Sequence, residues 1–515
     1  MRPIQFLLSC VLFFVMLTAS YAVIVDRFVI PEEALPFPYR QFLLEATGSI
    51  AGKVVIDSGS NSIHSFDTKI LSEYFQAPVI IVSDVATNPL RYKIFNFKKY
   101  LKPGDMLILP LEWGSYTSNG ELSKRFVENV ILNEHAYDYY INQLPLLERI
   151  EFILRKLPLY VVIDSFLQDF TESSVAIESK SERLDRFETM SKGAKNTAFG
   201  GEERDGPEEI DPIALYLSCD NYMFGLHEEN NFGQVHDVFL SNLERLEELA
   251  QLGIAIYFTW PTVVDSEQSL CYESPEIIEG MERFTAEIVE TVESRGFRFI
   301  GMPEDSHFDS SCFLNTYYHI RYSCAIGRTN SFVESLRKRS VHPLDSSIGE
   351  EQVTEAIDTH IEKMRFEILE EKVKALPSLN EGIFSPSDQE KMILFVSGWS
   401  GTEDAGTWSD GALSIFQIRI APALLKREYV YFGVDGRYFN GAEKTEVEIN
   451  GVSYGARVLK SQFFRIPTKE MQDHMVEVRL RHSDVRSPKM IGESDDDRMI
   501  KYMLQDVSLS LSAPN

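Results

Sequence analysis

Two polar stretches, far apart in the chain, combine residue types that could carry out acyl transfer. The first follows a β-branched run and reads Asp57-Ser58-Gly59-Ser60-Asn61, a pattern typical of a strand–turn–helix crest that presents a nucleophile. The second, at 315–319, contains His319. Serine is a weak nucleophile until an adjacent base takes its proton. Ser60 and His319 together therefore predict a serine/histidine site for ester chemistry.

Both residues also have plainer interpretations, which stay open at this point. Ser60 or Ser62 could simply cap the helix that follows, and the spacing alone favours a cap. A lone histidine is more often structural than functional. The loop carrying His319 follows a strand predicted at 297–300, however, and strand ends meet at one edge of a parallel sheet. We therefore expect His319 on the same edge as Ser60.

The group that would orient the base is less obvious. Asp305 and Asp309 are near His319 in sequence, and Asn315 stands four residues before it. An amide can hold a histidine tautomer, but it cannot balance an imidazolium charge as a carboxylate does. The predicted catalytic set is Ser60, His319, Asn315 and Asp309.

Alternating strand and helix patterns predict an α/β domain with a doubly wound parallel sheet at 46–345. Within it, the charged, Gly-rich stretch 172–211 predicts a mobile surface insertion. A helical connector is predicted at 346–390. Short alternating segments, with Asn450-Gly451 as a hairpin signal, predict a β-sandwich at 391–515. The predicted strands and helices of the α/β domain are strands at 53–57, 78–82, 105–112, 254–258 and 297–300 and helices at 63–75, 90–101, 240–252 and 277–294.

Length and charge narrow the class of protein. A chain of 515 residues predicts two or three domains, and its 44% hydrophobic content excludes global disorder. The balance of 50 Lys and Arg against 78 Asp and Glu gives a net charge of −28. Such a surface repels phosphate backbones, so no nucleic-acid partner is expected.

The first 25 residues predict export. An uncharged apolar run from Ile4 to Val25 is long enough to span a bilayer as a signal anchor. A cleaved signal peptide is the alternative, because Ser20-Tyr21-Ala22 resembles a cleavage site. A membrane-proximal linker is predicted at 26–45.

The cysteines fit export. Cys10 lies in the apolar run, and the four others lie in the exported part, where disulfides form. Of three pairings we prefer Cys312–Cys324 with Cys219–Cys271, because the first would brace the loop carrying His319. Four buried thiols are the alternative. No metal-ligand spacing is present, so we expect neither a metal nor a cofactor.

The crest and the His319 loop resemble the SGNH/GDSL-like superfamily over about residues 45–340. The nearest branch is that of membrane-anchored exported proteins of bacterial surface-polysaccharide loci, with the alginate-acetylation type of O-acyltransferase among them. The resemblance implies Ser60 as nucleophile, His319 as base and Gly59, Asn61 or Ser83 near the oxyanion. Relatives often have Asp where this chain has Asn315, and Ser83 or Asp84 stands where a glycine is expected. The resemblance is carried by Gly59-Ser60-Asn61-Ser62, the segment 100–113, Asn315–His319 and Gly327-Arg328-Thr329.

The C-terminal region resembles a β-domain attached to bacterial membrane enzymes that transfer sugars or phosphoglycerol to glycans. The resemblance rests on 398–401, 406–411, Ser487-Pro488 and 495–498. Its tryptophans suit stacking on sugar rings, and the predicted substrate-binding set is Trp113, Trp399 and Trp408. The alternative is that Trp399 and Trp408 belong to the sandwich core.

These observations lead to two functional hypotheses and a plainer third. The first is a serine O-acyltransferase or esterase that modifies a bacterial surface polysaccharide through an acyl-serine. It would be anchored in the inner membrane by one span, with its bulk in the periplasm, and could have a membrane acyl-transfer partner. The second is a catalytically degenerate relative that binds or helps assemble the polysaccharide. The third is an exported interaction module in which Ser60 is only a helix cap.

Overall fold

A computed structural model gives the fold of most of the chain. The predicted signal anchor, Cys219, Cys271 and Asn315 all lie outside the described residues. Among the helices that are described, none is both long enough and apolar enough to cross a membrane. The described residues are 38–85, 88–123, 126–127, 130, 134–152, 179–193, 195–205, 234–264, 275–314, 316, 318–344, 346–380, 382–384, 392–403, 405–439, 444–471, 474–492 and 494–512.

Helices belong mainly to the first part of the chain. They are α1 Tyr39–Ala46, α2 Ser60–Ser65, α3 Thr68–Phe75, α4 Leu90–Tyr100, α5 Gly114–Thr117, α6 Glu134–Tyr140, α7 Leu146–Glu151, α8 Lys180–Ser191, α9 Lys195–Ala198, α10 Asp237–Gln251, α11 Pro275–Ser294, α12 Tyr322–Lys338 and α13 Glu350–Ala375.

Strands occur in both parts. They are β1 Val54–Ile56, β2 Val79–Ile81, β3 Met106–Leu109, β4 Ala255–Thr259, β5 Val263–Val264, β6 Arg298–Ile300, β7 His307–Phe308, β8 Gly382–Phe384, β9 Ile393–Ser397, β10 Trp399–Glu403, β11 Gly406–Asp410, β12 Leu413–Arg419, β13 Tyr429–Tyr438, β14 Thr445–Ile449, β15 Val452–Arg457, β16 Gln462–Pro467, β17 Met475–His482 and β18 Ile500–Ser510.

The chain divides into two compact units, and the boundary falls between Glu362 and Lys363. This point lies inside α13, the helix that the charged pattern at 349–375 predicts. The division is therefore within the predicted connector rather than at its start.

A parallel sheet organises the first unit. Its strands lie in the order β2-β1-β3-β4-β6, and every pairing is parallel. Helices α2 and α3 contact α12, whereas α4 contacts α10. All five predicted strands are present, and the predicted α/β class with a parallel sheet is confirmed. The strand order reverses at β1, so the crevice at the carboxyl ends of β1 and β3 is the topological switch point where ligands bind in such sheets.

The helix predicted at 63–75 is instead two helices. Phe66 is extended, with φ −130° and ψ 136°, and α3 starts directly after Asp67. The Asp67 side chain accepts a hydrogen bond from the Ile70 N–H at 2.9 Å, which caps α3. The break leaves α2 as a short helix of six residues that begins at Ser60.

The described part of the predicted insertion packs against the sheet. Phe187 of α8 is fully buried. The Ile81 N–H donates to the Phe199 carbonyl at 2.8 Å, so the chain after α9 covers the free edge of β2. Gly200 has φ +96°, and a Cβ there would collide with the Ile81 carbonyl oxygen. These residues are thus an integral layer of the domain rather than a projecting insertion.

Two antiparallel sheets form the second unit. One has the order β10-β11-β18-β13-β16 with β8 beside β18, and the other has the order β15-β14-β17-β12-β9. Phe416 and Val478 of one sheet share a buried core with Phe432 and Leu504 of the other, as in a β-sandwich. Asn450 and Gly451 have φ +48° and +78° and turn β14 into β15, which confirms the predicted hairpin.

A buried ion pair closes the amino ends of β1 and β3. Lys53 Nζ lies 2.7 Å from Asp105 Oδ2, and both side chains are fully buried. The Asp105 carboxylate also accepts from the backbone N–H groups of Gly52, Lys53 and Lys102. Asp105 is therefore the acceptor for four donors, two of which belong to the fully buried Lys53.

We expect Asp105→Ala to destabilise the first unit by about 3–5 kcal/mol, because it leaves a buried ammonium without its counter-charge and three N–H groups without an acceptor. Lys53→Met should cost less, since the carboxylate keeps its three backbone donors. Urea unfolding measures both effects. The exposed pair of Lys98 and Glu248 supplies the control, and Glu248→Ala should cost under about 1 kcal/mol. Equal losses for Asp105→Ala and Glu248→Ala would contradict the assignment.

Candidate active site

The crest after β1 places Ser60 at the first position of α2. Gly59 is the residue before the helix, with φ −85° and ψ −160°, and Ser60 is half-buried. A Cβ on Gly59 would collide with the carboxylate of Glu112. The glycine is thus explained by the close approach of Glu112, not by a left-handed backbone. Within the described residues the Ser60 side chain makes no hydrogen bond.

A second histidine, which the sequence analysis did not single out, lies one turn beyond Ser60. Residues four apart share a helix face, so His64 is on the Ser60 side of α2. Its ring contacts the ring of His319 at a centroid distance of 4.2 Å. The structure therefore brings the predicted base to the helix that Ser60 begins, with His64 beside it. The i,i+4 spacing of Ser60 and His64 was the sequence signal that could have found it.

The loop of His319 is held at its base by covalent and backbone bonds. Cys312 and Cys324 form a disulfide with a Cα–Cα distance of 5.8 Å, so this predicted pairing is confirmed. Between them, the Leu314 N–H donates to the His319 carbonyl at 2.8 Å, and the Arg321 N–H donates to the Cys312 carbonyl at 2.7 Å. The disulfide does brace the loop that presents the imidazole.

Both imidazoles are neutral at neutral pH. Burial lowers the pKa of His64 to about 4, although the Glu202 carboxylate opposes the shift. Burial, and next the positive charge that His64 would carry, lower the pKa of His319 to about 3. Each ring is therefore in the form that can accept a proton, but each is a weak base.

Glu202 is the carboxylate that acts on both rings. Its Oε2 lies 3.7 Å from His64 Nε2, and its Oε1 lies 2.6 Å from the Arg40 guanidinium. Burial raises its pKa, but Arg40 and the two histidines outweigh burial, and the pKa is lowered overall. The Glu202 N–H donates to the Ile63 carbonyl, which fixes this residue on α2. In the sequence, Glu202 stands in a run of glycines and charged residues at 200–206, and nothing in that run indicated that it would contact the histidines.

The predicted orienting acid is engaged in its own turn. The Asp309 carboxylate accepts from the Ser311 N–H at 2.8 Å and caps the short helical turn Ser310–Cys312. Its assignment as a catalytic group stays a prediction.

The predicted oxyanion donors Asn61 and Ser83 are turned into the protein. Both are fully buried. The Asn61 amide donates to the Pro110 carbonyl at 3.0 Å and to Ser58 Oγ at 3.2 Å, and the Asn61 N–H donates to Glu112 Oε1 at 3.3 Å. Ser83 Oγ accepts from the Ser58 N–H and contacts the Ser62 hydroxyl. These side chains therefore brace the crest from below through hydrogen bonds within the protein.

Acidic residues follow three neighbouring strands, and two of them form ion pairs with one lysine. Lys93 Nζ of α4 contacts carboxylates of Asp57 and Asp84, which follow β1 and β2, and donates to the Ser58 carbonyl at 2.6 Å. Burial raises the pKa of Asp57 to about 7, with Lys93 opposing and Asp84 adding to the shift. Burial likewise raises the pKa of Glu112, which follows β3, to about 7.

All three tryptophans predicted to bind substrate pack against other side chains of the protein. Trp113 is 2% exposed and stacks on Trp260 at 5.3 Å. Trp399 packs on Phe416, and its indole N–H donates to the Ile415 carbonyl. Trp408 is buried, with Arg437 over its ring. Packing within the protein accounts for all three positions, and a sugar contact through these tryptophans stays a prediction.

Replacing His64 should change how stability depends on pH. The pKa of His64 in the folded protein lies below the usual 6.5, so the unfolded chain binds more protons as pH falls through 6.5 toward 4. Wild-type stability is therefore complete above about pH 6.5 and decreases below it. His64→Phe removes this loss, and its stability relative to wild type should rise by about 2 kcal/mol from pH 7 to pH 5.

Urea midpoints at the two pH values measure this effect. His342 is exposed, and His342→Phe is the control, because its imidazole meets solvent in both states. A stability difference between His64→Phe and wild type that does not change with pH would show that His64 titrates normally.

Comparison with known proteins adds little to this geometry. No model of a protein family matches the chain, and no curated protein matches it. Among solved structures it is similar to the structure of a family 35 carbohydrate binding module from an environmental isolate, at 14% identity. That match covers 26% of this chain and 97% of the module, with a TM-score of 0.15. A TM-score this low carries no argument, so the site must be judged by its own residues.

Proposed function

We propose that this chain is an exported, SGNH-like serine enzyme that acylates or deacylates a bacterial surface polysaccharide. The observation that carries the proposal is the placement of Ser60 at the switch point of the sheet, one helical turn from His64, whose ring contacts His319 at 4.2 Å. A serine and a neutral imidazole at one sheet edge are the groups that acyl transfer requires.

The proposed reaction has two halves. Ser60 Oγ attacks the ester carbonyl while an imidazole takes its proton, and the donor alcohol leaves with a proton to give an acyl-serine. A sugar hydroxyl, or water in an esterase, then attacks the acyl group while the imidazole takes its proton, and Ser60 is regenerated. Since Asn61 and Ser83 are engaged below the crest, the backbone N–H of Ser60 is the donor we assign to the developing oxyanion.

The location of the enzyme is also part of the proposal. The apolar segment at 4–25 supports a signal anchor in the inner membrane, with the remaining chain in the periplasm. The Cys312–Cys324 disulfide favours an oxidising compartment. In this arrangement the polysaccharide is the substrate, and a membrane acyl-transfer protein is the partner we would expect to supply the acyl group.

A second candidate is a catalytically silent relative that binds the polysaccharide. Two observations favour it. Asn315 stands where relatives often have a carboxylate, and the pKa of His319 is about 3, far from the value near the working pH that suits a general base. In this case the same surface would recognise the glycan without forming an acyl-serine.

A fluorophosphonate probe distinguishes the two candidates. If Ser60 is the nucleophile, the probe should label the full chain, and Ser60→Ala should abolish labelling and lower 4-nitrophenyl acetate hydrolysis by about 10³-fold or more. Ser179 caps α8 in an exposed position, so Ser179→Ala is the matched control and should label like wild type.

Equal labelling of Ser60→Ala and wild type would overturn the assignment of the nucleophile. If the folded wild-type chain is not labelled by the probe but still binds the glycan, the result would favour the catalytically silent, polysaccharide-binding candidate.

A further inference from the structure

A pocket opens at the carboxyl end of β3, next to the crest but separate from the histidines. Its volume is about 350 Å³, within the range of small-ligand sites. The start of α4 at 88–92, the loop 114–123 and two residues of α10, Val238 and Asn242, form its walls, and Glu112 lies among them. Ser60, His64 and His319 are not part of its lining.

Two of the lining side chains are nearly buried and have unused polar atoms. Glu112 is 4% exposed, and both of the hydrogen bonds it receives, from the Asn61 N–H and amide, go to Oε1. No donor to Oε2 is present among the described residues. Asn242 is 5% exposed, and its amide makes no hydrogen bond within the same part of the chain. Neither group is among the polar atoms that are sealed from solvent without a partner, so a ligand in the pocket can reach them.

The polar groups of the pocket suit a neutral ligand rich in hydroxyls. Glu112 Oε2 can accept a hydrogen bond and can donate one when the carboxyl is protonated, and the Asn242 amide can both donate and accept. A hydroxyl can do the same in return. Among the described residues of the lining the one cation is Arg91, and it is already paired with Glu148 at 3.0 Å, so these residues do not favour an anion. Leu90, Tyr92 and Val238 supply apolar wall for the C–H face of a ring.

We propose that this pocket binds one sugar ring through Glu112 and Asn242. The pocket volume fits a single ring better than a chain of sugars. Because Glu112 Oε1 holds the Asn61 N–H and the carboxylate packs on Gly59, a ring bound here lies against the underside of the Ser60 turn. The binding itself does not depend on whether Ser60 performs acyl transfer.

Saturation-transfer NMR on the full chain tests the site, with the methyl glycosides of glucose, galactose, mannose and N-acetylglucosamine as probes. At least one glycoside should bind saturably in the millimolar range or tighter. Asn242→Leu and Glu112→Gln should each weaken that binding by about tenfold or more, because the first removes a polar partner and the second replaces the acceptor Oε2 with an amide NH₂ group. Ser60→Ala should bind like wild type, which separates this site from the proposed catalysis.

Asn142 is an exposed asparagine outside the pocket, and Asn142→Leu is the matched control, expected to leave glycoside binding unchanged. Circular dichroism shows whether each variant is folded. Absence of saturable binding by all four glycosides would overturn the proposal. So would binding that both pocket variants retain, because the sugar would then lie elsewhere. If ethanolamine binds and the glycosides do not, the pocket selects an ammonium group and the neutral sugar is wrong.

Discussion

The geometry of the crest depends on a lysine buried between two strand ends. Lys93 contacts Asp57 after β1 and Asp84 after β2, and it holds the Ser58 carbonyl. Burial disfavours the ammonium, but the two carboxylates raise its pKa overall, so the lysine stays charged and the strand ends stay tied together. Removing one member of such a cluster leaves an uncompensated charge in a dry interior. The position of the Gly59–Ser60 turn is thus set by electrostatics beneath it.

From that fixed turn, two groups of polar residues diverge. On one side, His64 of α2 lies beside His319 and Glu202. Burial keeps the two imidazoles neutral, whereas Arg40 and the histidines outweigh burial and lower the pKa of Glu202. From β3, Glu112 reaches up to the turn, and Gly59 is needed because any side chain would displace its carboxylate. The segment from Gly59 to His64 therefore connects the imidazoles to the pocket. Neither the two histidines nor Glu202 are among the residues that line the pocket.

Local signals predicted the fold well and the site only in part. Strand and helix periodicity, the Asn450-Gly451 turn and the Cys312–Cys324 spacing are local, and the structure contains all of them. The break at Phe66 was missed because a capping aspartate can interrupt an apolar pattern without changing its period. Asn61 and Ser83 were expected to face the oxyanion, but the Pro110 carbonyl and the Ser58 N–H, both distant in sequence, engage them. Glu202 lay in a stretch whose composition predicted an insertion, and only its packing on β2 and α2 brings it to the histidines.

The strength of the base depends on how one carboxylate is shared. Glu202 is bound to Arg40 at 2.6 Å and stands 3.7 Å from His64, so its stronger interaction is with the guanidinium. An imidazole gains proton affinity only from a carboxylate that is free to interact with it, and burial without such a partner lowers its pKa. Arg40 therefore competes with the histidines for the same negative charge. Burial is the main reason that the pKa of each ring is low, and the charge of Arg40 lowers the pKa of His64 further, so the two rings remain neutral and weakly basic.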